Sequence, residues 1–428
     1  MNIYFYTLGC KVNQYESIAA GEVLKKAGHN IVNSFLKADA VVVNSCTVTA
    51  ESDRKTRQAV RRFKRKNPDG IVLLMGCMPS ATPSTADSLL EADIVIGNTD
   101  HSILAELLEE YIKNRKRIVR VETHTRGEKY KTPSIKSFPE RTRAFMKIED
   151  GCDRYCTYCL IPKARGDIRS RDLADIEKEA ECLSQQGFCE VVLVGINLTS
   201  YGRDTGIDIC DAVKAASKPD GIKRVRLGSL EPDYMTDDLL LRLSLEEKFC
   251  PQFHLALQSG SDKTLKRMNR HYDTAFFSDL VDRIRKQFNN PSITTDIMVG
   301  FAGENEEDFL DSVTFLKKIG MARSHVFAYS KRSGTVAAGL LNQVDEAEKS
   351  RRAKIMIEAA AESEKAFLNT QIGRIEKVLF ETENNGLYEG YTENYTSVRA
   401  KSEDNISGQI LSVKLIEAKD DYCVGEIV

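Results

Sequence analysis

Three closely spaced cysteines stand in the middle of the 428-residue chain. Cys152, Cys156 and Cys159 lie in the segment GCDRYCTYC, directly after a short apolar run that predicts a buried strand. Three thiolates at this C-x3-C-x2-C spacing can bind three irons of a four-iron, four-sulfur cluster and leave the fourth iron without a protein ligand. Such an open iron can bind a small molecule and activate it.

Two simpler interpretations of the same cysteines stay open. A structural zinc site needs four ligands, and no further Cys or His lies close to this segment in the sequence. Buried cysteines that only pack in a core are also common. The tight spacing and the position after a strand favour the iron–sulfur cluster.

Three further cysteines share one structural position although they are far apart in sequence. Cys10, Cys46 and Cys77 each follow the end of a predicted parallel strand. Loops at the carboxyl ends of neighbouring parallel strands meet at one edge of the sheet, so the three thiols should converge. We expect a second cluster with an open iron here, the alternative being three separate core cysteines.

The other cysteines and the histidines have no comparable pattern. Each of the other cysteines lacks a partner at ligand spacing, and we interpret all of them as packing residues: Cys182, Cys189, Cys210, Cys250 and Cys423. The 6 histidines are scattered, and none is assigned a catalytic role.

The start of the chain and its apolar runs predict the compartment. Residues 1–8 are apolar but lack a basic leader and a cleavage site. No apolar run approaches the roughly 20 residues of a membrane span. We therefore expect a cytoplasmic protein with no membrane segment. Its 11 cysteines are then poor candidates for structural disulfides, because that compartment is reducing.

The first part of the chain alternates between two patterns. Short apolar runs predict buried parallel strands at residues 3–7, 40–43, 71–75 and 93–96. Helical patterns separate or follow them at residues 15–27, 51–66, 86–91 and 101–114. This alternation predicts an open, doubly wound α/β domain. The polar, basic stretch 121–143 has little periodicity and is interpreted as a linker or exposed loop.

The middle part resumes the strand–helix alternation. Strands are predicted at residues 144–148, 190–194, 224–227, 253–257, 294–298 and 324–328. Six β/α units would form a partial or full parallel barrel, and periodicity does not decide whether it closes. A highly charged helix is predicted at residues 345–370.

The last part changes to short β-rich runs separated by polar turns. Strands are predicted at residues 375–380, 387–391, 397–400, 409–415 and 422–428. They predict a small all-β domain, a five-stranded barrel. The expected organisation is residues 1–120 for the amino-terminal domain, 121–142 for the linker, 143–370 for the barrel and 371–428 for the β domain.

Four loops of the predicted barrel carry groups suited to a small polar cofactor. They follow successive strands and have the sequences GIN at 195–197, SLEP at 229–232, QSG at 258–260 and GFAGE at 300–304. Ligand sites in β/α barrels gather at the carboxyl ends of the strands. These loops therefore lie at the same end as the Cys152 loop.

The cysteine spacing and its place in a β/α barrel resemble the radical S-adenosylmethionine superfamily. The resemblance implies that S-adenosylmethionine binds the open iron and is cleaved to a 5′-deoxyadenosyl radical. It also implies that Asn197, Ser229, Glu231 and Gln258 contact the cofactor and that Tyr158 lies beside its adenine.

The whole chain resembles the methylthiotransferases of that superfamily. The segments TLGCKVNQYES at 7–17 and VNSCT at 43–47 are similar to their amino-terminal domain, and residues 151–171 to their radical core. The last domain is similar to their TRAM domain, an RNA-binding module. The opening motif and GYTENY at 390–395 most resemble the branch that acts on threonylcarbamoyladenosine next to the anticodon of transfer RNA.

The resemblance implies two 4Fe-4S clusters, two molecules of S-adenosylmethionine and delivery of a methylthio group to carbon 2 of the adenine. It implies transfer RNA as substrate, an electron donor of the flavodoxin or ferredoxin type, and a sulfur donor. Three other functions stay open: methylthiolation of an aspartate of a ribosomal protein, methylthiolation of isopentenyladenosine in transfer RNA, and a non-catalytic iron–sulfur scaffold.

Charge is uneven along the chain although the formal net charge is only −2. Residues 51–70 hold 8 basic and 3 acidic side chains, and residues 111–131 hold 8 and 2. The window 141–171 adds further basic residues beside the cysteine loop. Such clusters can bind phosphates or form solvated helix faces. Residues 371–428 are acidic, so RNA recognition there would need aromatics such as Tyr388, Tyr391 and Tyr395.

Overall fold

The computed structural model describes residues 1–135, 138 and 142–428. Over these residues a parallel α/β sheet, an open barrel of β/α units and a small closed β barrel follow one another. The mixed α/β class predicted from the sequence, with its all-β carboxyl-terminal barrel, is confirmed. No described helix is both long and apolar enough to cross a membrane.

The amino-terminal region is built on a six-stranded parallel sheet. Its strands are β1 Asn2–Thr7, β2 Asn30–Ile31, β3 Ala40–Ser45, β4 Ile71–Gly76, β5 Ile94–Ile96 and β6 Ile118–Arg120. The order β2-β1-β3-β4-β5-β6 reverses direction between β1 and β3. In doubly wound sheets ligands bind beyond the carboxyl ends of the strands at such a switch point.

Helices cover both faces of this sheet. They are α1 Lys11–Lys26, α2 Ala50–Lys66, α3 Cys77–Ala81, α4 Pro83–Asp87 and α5 Leu104–Asn114. The apolar sides of α1 and α5 pack on one face, and those of α2 to α4 on the other. The helix predicted at 86–91 is wrong, because Pro83 starts a helix that ends at Asp87 and turns follow.

The segment between the sheet and the barrel is packed rather than exposed. Ile135 and Phe138 are buried in the barrel's apolar core, and the Tyr130 hydroxyl donates a hydrogen bond to the Lys147 carbonyl at 2.8 Å. The expectation of an exposed loop at 121–143 is therefore corrected. Residues 136, 137 and 139–141 of this stretch, and with them Arg141 of the basic window, lie outside the described residues.

The central region holds the parallel strands of an open barrel. The parallel strands are β7 Arg143–Lys147, β10 Glu190–Val194, β11 Arg224–Leu227, β12 Ser229–Leu230, β13 Gln252–Gln258, β14 Ser292–Val299 and β15 Arg323–Ala328. The short strands β8 Glu149–Asp150 and β9 Arg169–Ser170 form a separate antiparallel pair. Two sheets, β11-β10-β7 and β12-β13-β14-β15, follow one another because β12 continues β11 past Gly228. Among the described residues β7 and β15 do not pair, so the barrel stays open.

Helices cover the outer face of these strands. They are α7 Leu173–Gln185, α8 Ile209–Ser217, α9 Asp237–Ser244, α10 Asp262–Arg267, α11 Thr274–Gln287, α12 Glu306–Ile319 and α13 Glu346–Thr370. The short helix α6 Ile161–Arg165 packs instead against α3 of the amino-terminal region. Short 3-10 helices lie at Phe35–Lys37, Leu198–Ser200, Pro232–Tyr234 and Val336–Gly339.

The interior of the barrel carries polar side chains and is open to solvent on the side of β13 and β15, whereas Glu190 and Arg226 on the other side are buried. Side chains of β13 alternate between buried residues and less buried ones such as His254, and those of β15 alternate likewise, with His325 exposed. The buried set packs with the helices in one apolar core. Because helices surround the outside of such a barrel, the other set faces its interior. We call this interior space the lumen.

The carboxyl-terminal region is a closed barrel. Its strands are β16 Ile375–Asn384, β17 Leu387–Thr392, β18 Ser397–Lys401, β19 Ile410–Ala418 and β20 Cys423–Ile427, in the order β16-β17-β18-β20-β19. Alternate side chains such as Phe380, Val398 and Leu415 fill its core. Tyr388 belongs to this core, so its ring is not an open surface for RNA.

Two aromatic rings and two guanidinium groups join this domain to the central barrel. Tyr391 and Tyr395 stack with ring centroids 4.6 Å apart. The Arg143 guanidinium lies 5.0 Å from each ring centroid, and that of Arg226 lies 4.8 Å from Tyr395. The expectation that these tyrosines read RNA is corrected, because they pack against the core domain. Arg143 also forms an ion pair with Glu381.

Candidate functional site

The central cysteine loop begins where the hairpin of β8 and β9 opens. Gly151 has φ of +90°, and a Cβ there would lie 1.9 Å from the Asp167 carbonyl oxygen. Only glycine fits this close approach. The Cys152 amide then donates a hydrogen bond to the Gly166 carbonyl at 3.0 Å. The two ends of the loop are thereby held together.

The far side of the loop is fixed by the segment after α10. The Thr157 amide donates to the Met268 carbonyl, and Asn269 donates its side-chain amide to the Tyr155 carbonyl at 3.2 Å. The Cys159 amide donates to the Cys156 carbonyl at 2.9 Å. The three cysteines therefore lie in one tight turn with fixed backbone.

Each of these sulfurs has a donor directed at it. Asn197 Nδ2 lies 3.9 Å from Cys152 Sγ, Arg270 Nη1 lies 3.2 Å from Cys156 Sγ, and the Ile161 amide lies 3.4 Å from Cys159 Sγ. Burial raises the pKa of the Cys152 and Cys159 thiols, that of Cys159 to about 12. The donors favour thiolates, which are the form that binds iron.

Arg270 joins the cysteine loop to Glu231, and sequence reasoning missed it. Its Nη2 donates to Glu231 Oε1 at 2.5 Å and to the Ala256 carbonyl at 3.1 Å. Burial raises the pKa of Glu231, while Arg270 opposes that shift. A basic residue following a helix is too common to be recognised in sequence. Only the fold shows that it spans Cys156 and a residue of the predicted cofactor loop.

The structure brings the other predicted cofactor contacts to the same end of the barrel, but they differ in how they are placed relative to the cysteine loop. Tyr158 packs edge-on against Phe301, with ring centroids 6.2 Å apart. Gln258 has a left-handed backbone with φ of +67° at the end of β13. Ser229 is exposed on the inner face opposite His254, and no described contact joins it to the cysteine loop.

Glu149 positions the Asn197 loop and was also missed from the sequence. Its buried carboxyl accepts hydrogen bonds from the amides of Ile196 at 2.7 Å and Asn197 at 2.9 Å. Burial, reinforced by the charge of Asp150, raises the pKa of Glu149 to about 8. This clamp holds Asn197 against Cys152.

The amino-terminal cysteines converge as the strand positions predict. Cys10 is the N-cap of α1, and its sulfur lies 3.3 Å from Asn13 Oδ1. The Nδ2 of the same Asn13 lies 4.0 Å from Cys77 Sγ. Gly9 has φ of +106°, and a Cβ there would lie 2.8 Å from Cys46 Cβ. The three residues therefore surround the side chain of Asn13.

Cys46 and Cys77 are buried among amide donors, whereas Cys10 is exposed. Asn98 Nδ2 lies 3.9 Å from Cys77 Sγ, and the Val48 amide donates to Cys46 Sγ at 3.5 Å. Burial raises the pKa of Cys77 to about 12 and also raises that of Cys46. Asn13 and Asn98 were not predicted. Both come from loops or helix starts at the same sheet edge.

Arg165 connects the two cysteine sites. Its guanidinium lies 3.2 Å from Cys77 Sγ, and it binds both carboxylate oxygens of Glu16 at 2.7 and 3.0 Å. It also reaches Asp150 at 3.0 Å, two residues before Cys152. Lys147 completes the network with bonds of 2.7 Å to Glu16 and 2.6 Å to Asp150. The network joins α1 of the first domain to the cysteine loop of the second.

Apolar contact reinforces this connection. Cys77 packs with Leu160 and Ala164 of the radical core, and Leu160 directly follows Cys159. The two cysteine sites are therefore neighbours across the domain interface.

The basic window beside the cysteine loop is internal. Four of its arginines are buried with acidic partners, which corrects their interpretation as phosphate contacts: Arg154 with Asp233, Arg165 with Glu16, Arg169 with Asp150, and Arg171 with Glu179. Lys163 stays exposed.

Both sites have the donor chemistry that iron–sulfur clusters need. Each offers three thiols, directed N–H donors and one guanidinium near a sulfur. Within the described residues, no three Cys, His, Asp or Glu side chains are arranged to hold a single metal ion. A four-iron cluster has a different requirement, because each thiolate binds a separate iron.

The lumen below the cysteine sites carries titratable groups that the sequence did not single out. His254 Nε2 lies 3.4 Å from Asp296 Oδ2, and His325 Nδ1 lies 3.8 Å from Asp296 Oδ1. Lys11, next to Cys10, places its ammonium 5.5 Å from the Phe145 ring centroid. Burial, with the charges of Arg143 and Arg226, lowers the pKa of Lys11 to about 8.

The other cysteines are placed as packing residues would be. Cys210, Cys250 and Cys423 are buried, whereas Cys182 and Cys189 are half-buried.

Two protein families match the chain. The Radical SAM superfamily matches residues 146–316, and Uncharacterized protein family UPF0004 matches residues 2–97. The first span includes the central cysteine loop, and the second includes Cys10, Cys46 and Cys77.

Curated relatives match over nearly the full length. The threonylcarbamoyladenosine tRNA methylthiotransferase MtaB of Bacillus subtilis is 36% identical over 100% of this chain and 96% of its own. MtaB of Aquifex aeolicus is 37% identical over 93% and 96%. The tRNA-2-methylthio-N(6)-dimethylallyladenosine synthase of Lachnoclostridium phytofermentans is 34% identical over 99% and 94%.

A solved structure shares the fold. The radical S-adenosylmethionine methyltransferase TsrM of Kitasatospora setae superposes with a TM-score of 0.56 at 14% identity, covering 76% of this chain and 74% of that one.

Proposed function

The chain belongs to the radical S-adenosylmethionine methylthiotransferases, and on that premise we propose that it converts N6-threonylcarbamoyladenosine, 3′-adjacent to the anticodon of transfer RNA, to the 2-methylthio derivative. The observation that carries this proposal is the full-length similarity to MtaB proteins combined with two cysteine sites that meet at Arg165. The 34% identity to a dimethylallyladenosine synthase makes that base the first substrate to compare.

We assign Cys152, Cys156 and Cys159 as ligands of the radical cluster and Cys10, Cys46 and Cys77 as ligands of the second cluster. The convergence of each set and its N–H donors support this assignment. When bound, the clusters and S-adenosylmethionine supply the radical that removes hydrogen from carbon 2 of the adenine and the methylthio group that replaces it.

The chain's own residues bind, orient and shield. Arg270 fixes the Glu231 carboxylate and keeps a positive charge at Cys156. Glu149 orients Asn197 toward Cys152. The assignment of Tyr158, Asn197, Ser229, Glu231 and Gln258 as cofactor contacts is supported by their common position at the carboxyl ends of the strands.

Helix α2 is the proposed contact for the RNA backbone. A groove of about 990 Å³ lies along it, lined by Arg54, Arg57, Arg61, Arg62, Lys64 and Arg65 with the single acid Glu91. The helix begins just after Cys46, so a phosphate chain bound to it would lead toward the cysteine sites. The acidic carboxyl-terminal barrel supplies less positive charge for phosphates.

The proposed reaction requires partners that supply electrons and sulfur. We propose that an electron donor of the flavodoxin or ferredoxin type reduces the radical cluster, that a separate sulfur donor supplies the inserted sulfur, and that the protein works in the cytoplasm. A transfer RNA substrate and 11 free cysteines both suit a reducing compartment. We also propose the domain limits 1–120, 121–142, 143–370 and 371–428.

Mass spectrometry of modified nucleosides tests the function. Transfer RNA from cells with and without the gene is digested, and 2-methylthio-threonylcarbamoyladenosine should disappear only without the gene. Loss of the 2-methylthio derivative of isopentenyladenosine instead would transfer the enzyme to the other branch. Unchanged nucleosides together with loss of a methylthiolated ribosomal aspartate would indicate the protein substrate. Reduced protein that makes no 5′-deoxyadenosine would indicate a scaffold.

A further inference from the structure

Among the residues that the structure describes, Lys11 is a cationic group beside the lumen with no acidic side chain paired to it. Lys11 projects from the start of α1 toward Phe145, and its ammonium forms no ion pair and donates no hydrogen bond among the described residues. The neighbouring guanidinium groups differ in this respect. Arg143 is paired with Glu381, and Arg226 is paired with Glu190 at 3.0 Å. Among the described residues Glu190 therefore acts on the charge of Lys11 only from a distance, and no carboxylate forms an ion pair with it.

The position of Lys11 in its helix costs stability. Lys11 is the first residue of α1, and the first turn of that helix holds no acidic residue. The positive end of the helix dipole repels a cation there and attracts an anion. A lysine that opposes the dipole and lacks an ion pair is poorly explained by folding alone.

The strand register shows that Lys11 enters the lumen. Phe145 lies opposite Val192, which lies opposite Arg226. Phe145 and Val192 are buried in the same apolar core as Val191 and Val225, but their face of the sheet also carries the ion-paired Glu190 and Arg226. A helix-covered face would not hold these charges, so the Phe145 row faces inward. Lys11 therefore lies between Cys10, a proposed cluster ligand, and the basic inner wall of the barrel.

We propose that Lys11 binds the terminal carboxylate of the threonylcarbamoyl group while the adenine lies at the cysteine sites. This inference rests on the proposed function. The threonylcarbamoyl substituent carries a carboxylate, whereas a dimethylallyl substituent carries no charge. An unpaired ammonium next to Cys10, with Arg143 and Arg226 behind it, suits the charged substituent. Lys11 is then a specificity-determining residue.

The test compares two anticodon stem-loop RNAs that differ only at the carboxylate. One carries threonylcarbamoyladenosine and the other carries its methyl ester. Binding to anaerobically reconstituted enzyme is measured by fluorescence anisotropy, and methylthiolation is measured by mass spectrometry. Lys11→Met should weaken binding of the carboxylate RNA by roughly tenfold to a hundredfold and leave binding of the ester RNA within about threefold.

Two further variants control for other effects. Lys11→Arg keeps the charge and should restore most of the affinity for the carboxylate RNA. Lys37→Met removes an exposed lysine at the opposite end of the same sheet and should bind both RNAs as the wild type does. Iron content is measured on every preparation.

The outcomes separate this inference from the proposed function. The role of Lys11 is overturned if Lys11→Met weakens the affinity for both RNAs by the same factor, or leaves both affinities unchanged. Equal binding of both RNAs by the wild type also overturns it. The proposed function itself is overturned if the wild type methylthiolates neither RNA and if the conversion of threonylcarbamoyladenosine to its 2-methylthio derivative in cells does not depend on the gene.

Discussion

The two cysteine sites hold the same number of thiols but are built in opposite ways. The central site lies in one turn, where backbone hydrogen bonds close the loop between Gly166 and Met268. The amino-terminal site gathers Cys10, Cys46 and Cys77 from the ends of three strands, around Asn13. The first has all three thiols in one segment, which the barrel then braces through Met268 and Asn269, and the second exists only when the whole sheet is folded.

One domain interface serves both cysteine sites. Arg165 touches Cys77 and Asp150, so the amino-terminal site depends on a residue of the radical core. The dependence in the other direction is weaker. The side-chain donors to the central cysteines, Asn197 and Arg270, belong to the barrel itself. Damage to the interface should therefore affect the amino-terminal site first.

The largest effect is expected from removing each cysteine set. Replacing Cys152, Cys156 and Cys159 by Ala should abolish 5′-deoxyadenosine and methylthiolated RNA together. Replacing Cys10, Cys46 and Cys77 should abolish only the methylthiolated RNA. Each variant should keep about four of about eight irons after anaerobic reconstitution. Mass spectrometry of both products and an iron assay on the same samples measure this.

The cysteine assignment would be contradicted by two results. One is a full iron complement after either triple substitution. The other is methylthiolated RNA from the amino-terminal variant, which would make those cysteines packing residues.

The next effect concerns the link between the sites. Arg165→Met removes one buried cationic partner of Glu16 and Asp150 and leaves them Lys147, so the loss should be at most about 3–5 kcal/mol of stability. Urea denaturation of the apoprotein, followed by circular dichroism, should show this. Reconstituted variant should lose iron from the amino-terminal site before the radical site.

Arg61→Met is the matched control for Arg165. Arg61 forms an exposed ion pair with Glu91, worth at most about 1 kcal/mol. Equal destabilisation by both substitutions would show that the buried network is not special.

A pH effect is expected from Glu149 in the radical core. The pKa of Glu149 is raised to about 8, above its usual value of 4.5, so the native state holds a proton that the unfolded state has lost. Stability should therefore fall as pH rises, by roughly 2 kcal/mol between about pH 6 and pH 8. Glu149→Gln should reduce this slope in denaturation of the apoprotein. Glu106→Gln, an exposed change on α5, should keep it.

The smallest effect is on cofactor binding at the radical site. Glu231→Ala should weaken S-adenosylmethionine binding by about tenfold, because it removes a charged contact and frees Arg270. Both clusters should stay, which an iron assay checks, and equilibrium dialysis gives the affinity. Asp237→Ala, an exposed change in α9, is the control. Unchanged affinity in the Glu231 variant would remove Glu231 from the site.

Local patterns of apolar and polar residues predict much of this architecture. The central strands predicted from apolar runs lie within a residue or two of those observed, and the charged helix α13 begins at Glu346 after its N-cap Asp345. Local sequence patterns fail to predict burial where a contact with a distant part of the chain determines it. The stretch 121–143 is polar in sequence, yet Ile135 and Phe138 are buried beside β7.

The sequence alone predicts the chemistry of this protein, because cysteine spacing and the position of each cysteine after a strand are local patterns. The tertiary structure alone decided what each charge does. Arg154, Arg165, Arg169 and Arg171 look like Arg54 or Arg57 in sequence, yet the first four are buried in ion pairs while α2 remains open to solvent. A charge acts through what surrounds it, and its surroundings come from distant parts of the chain.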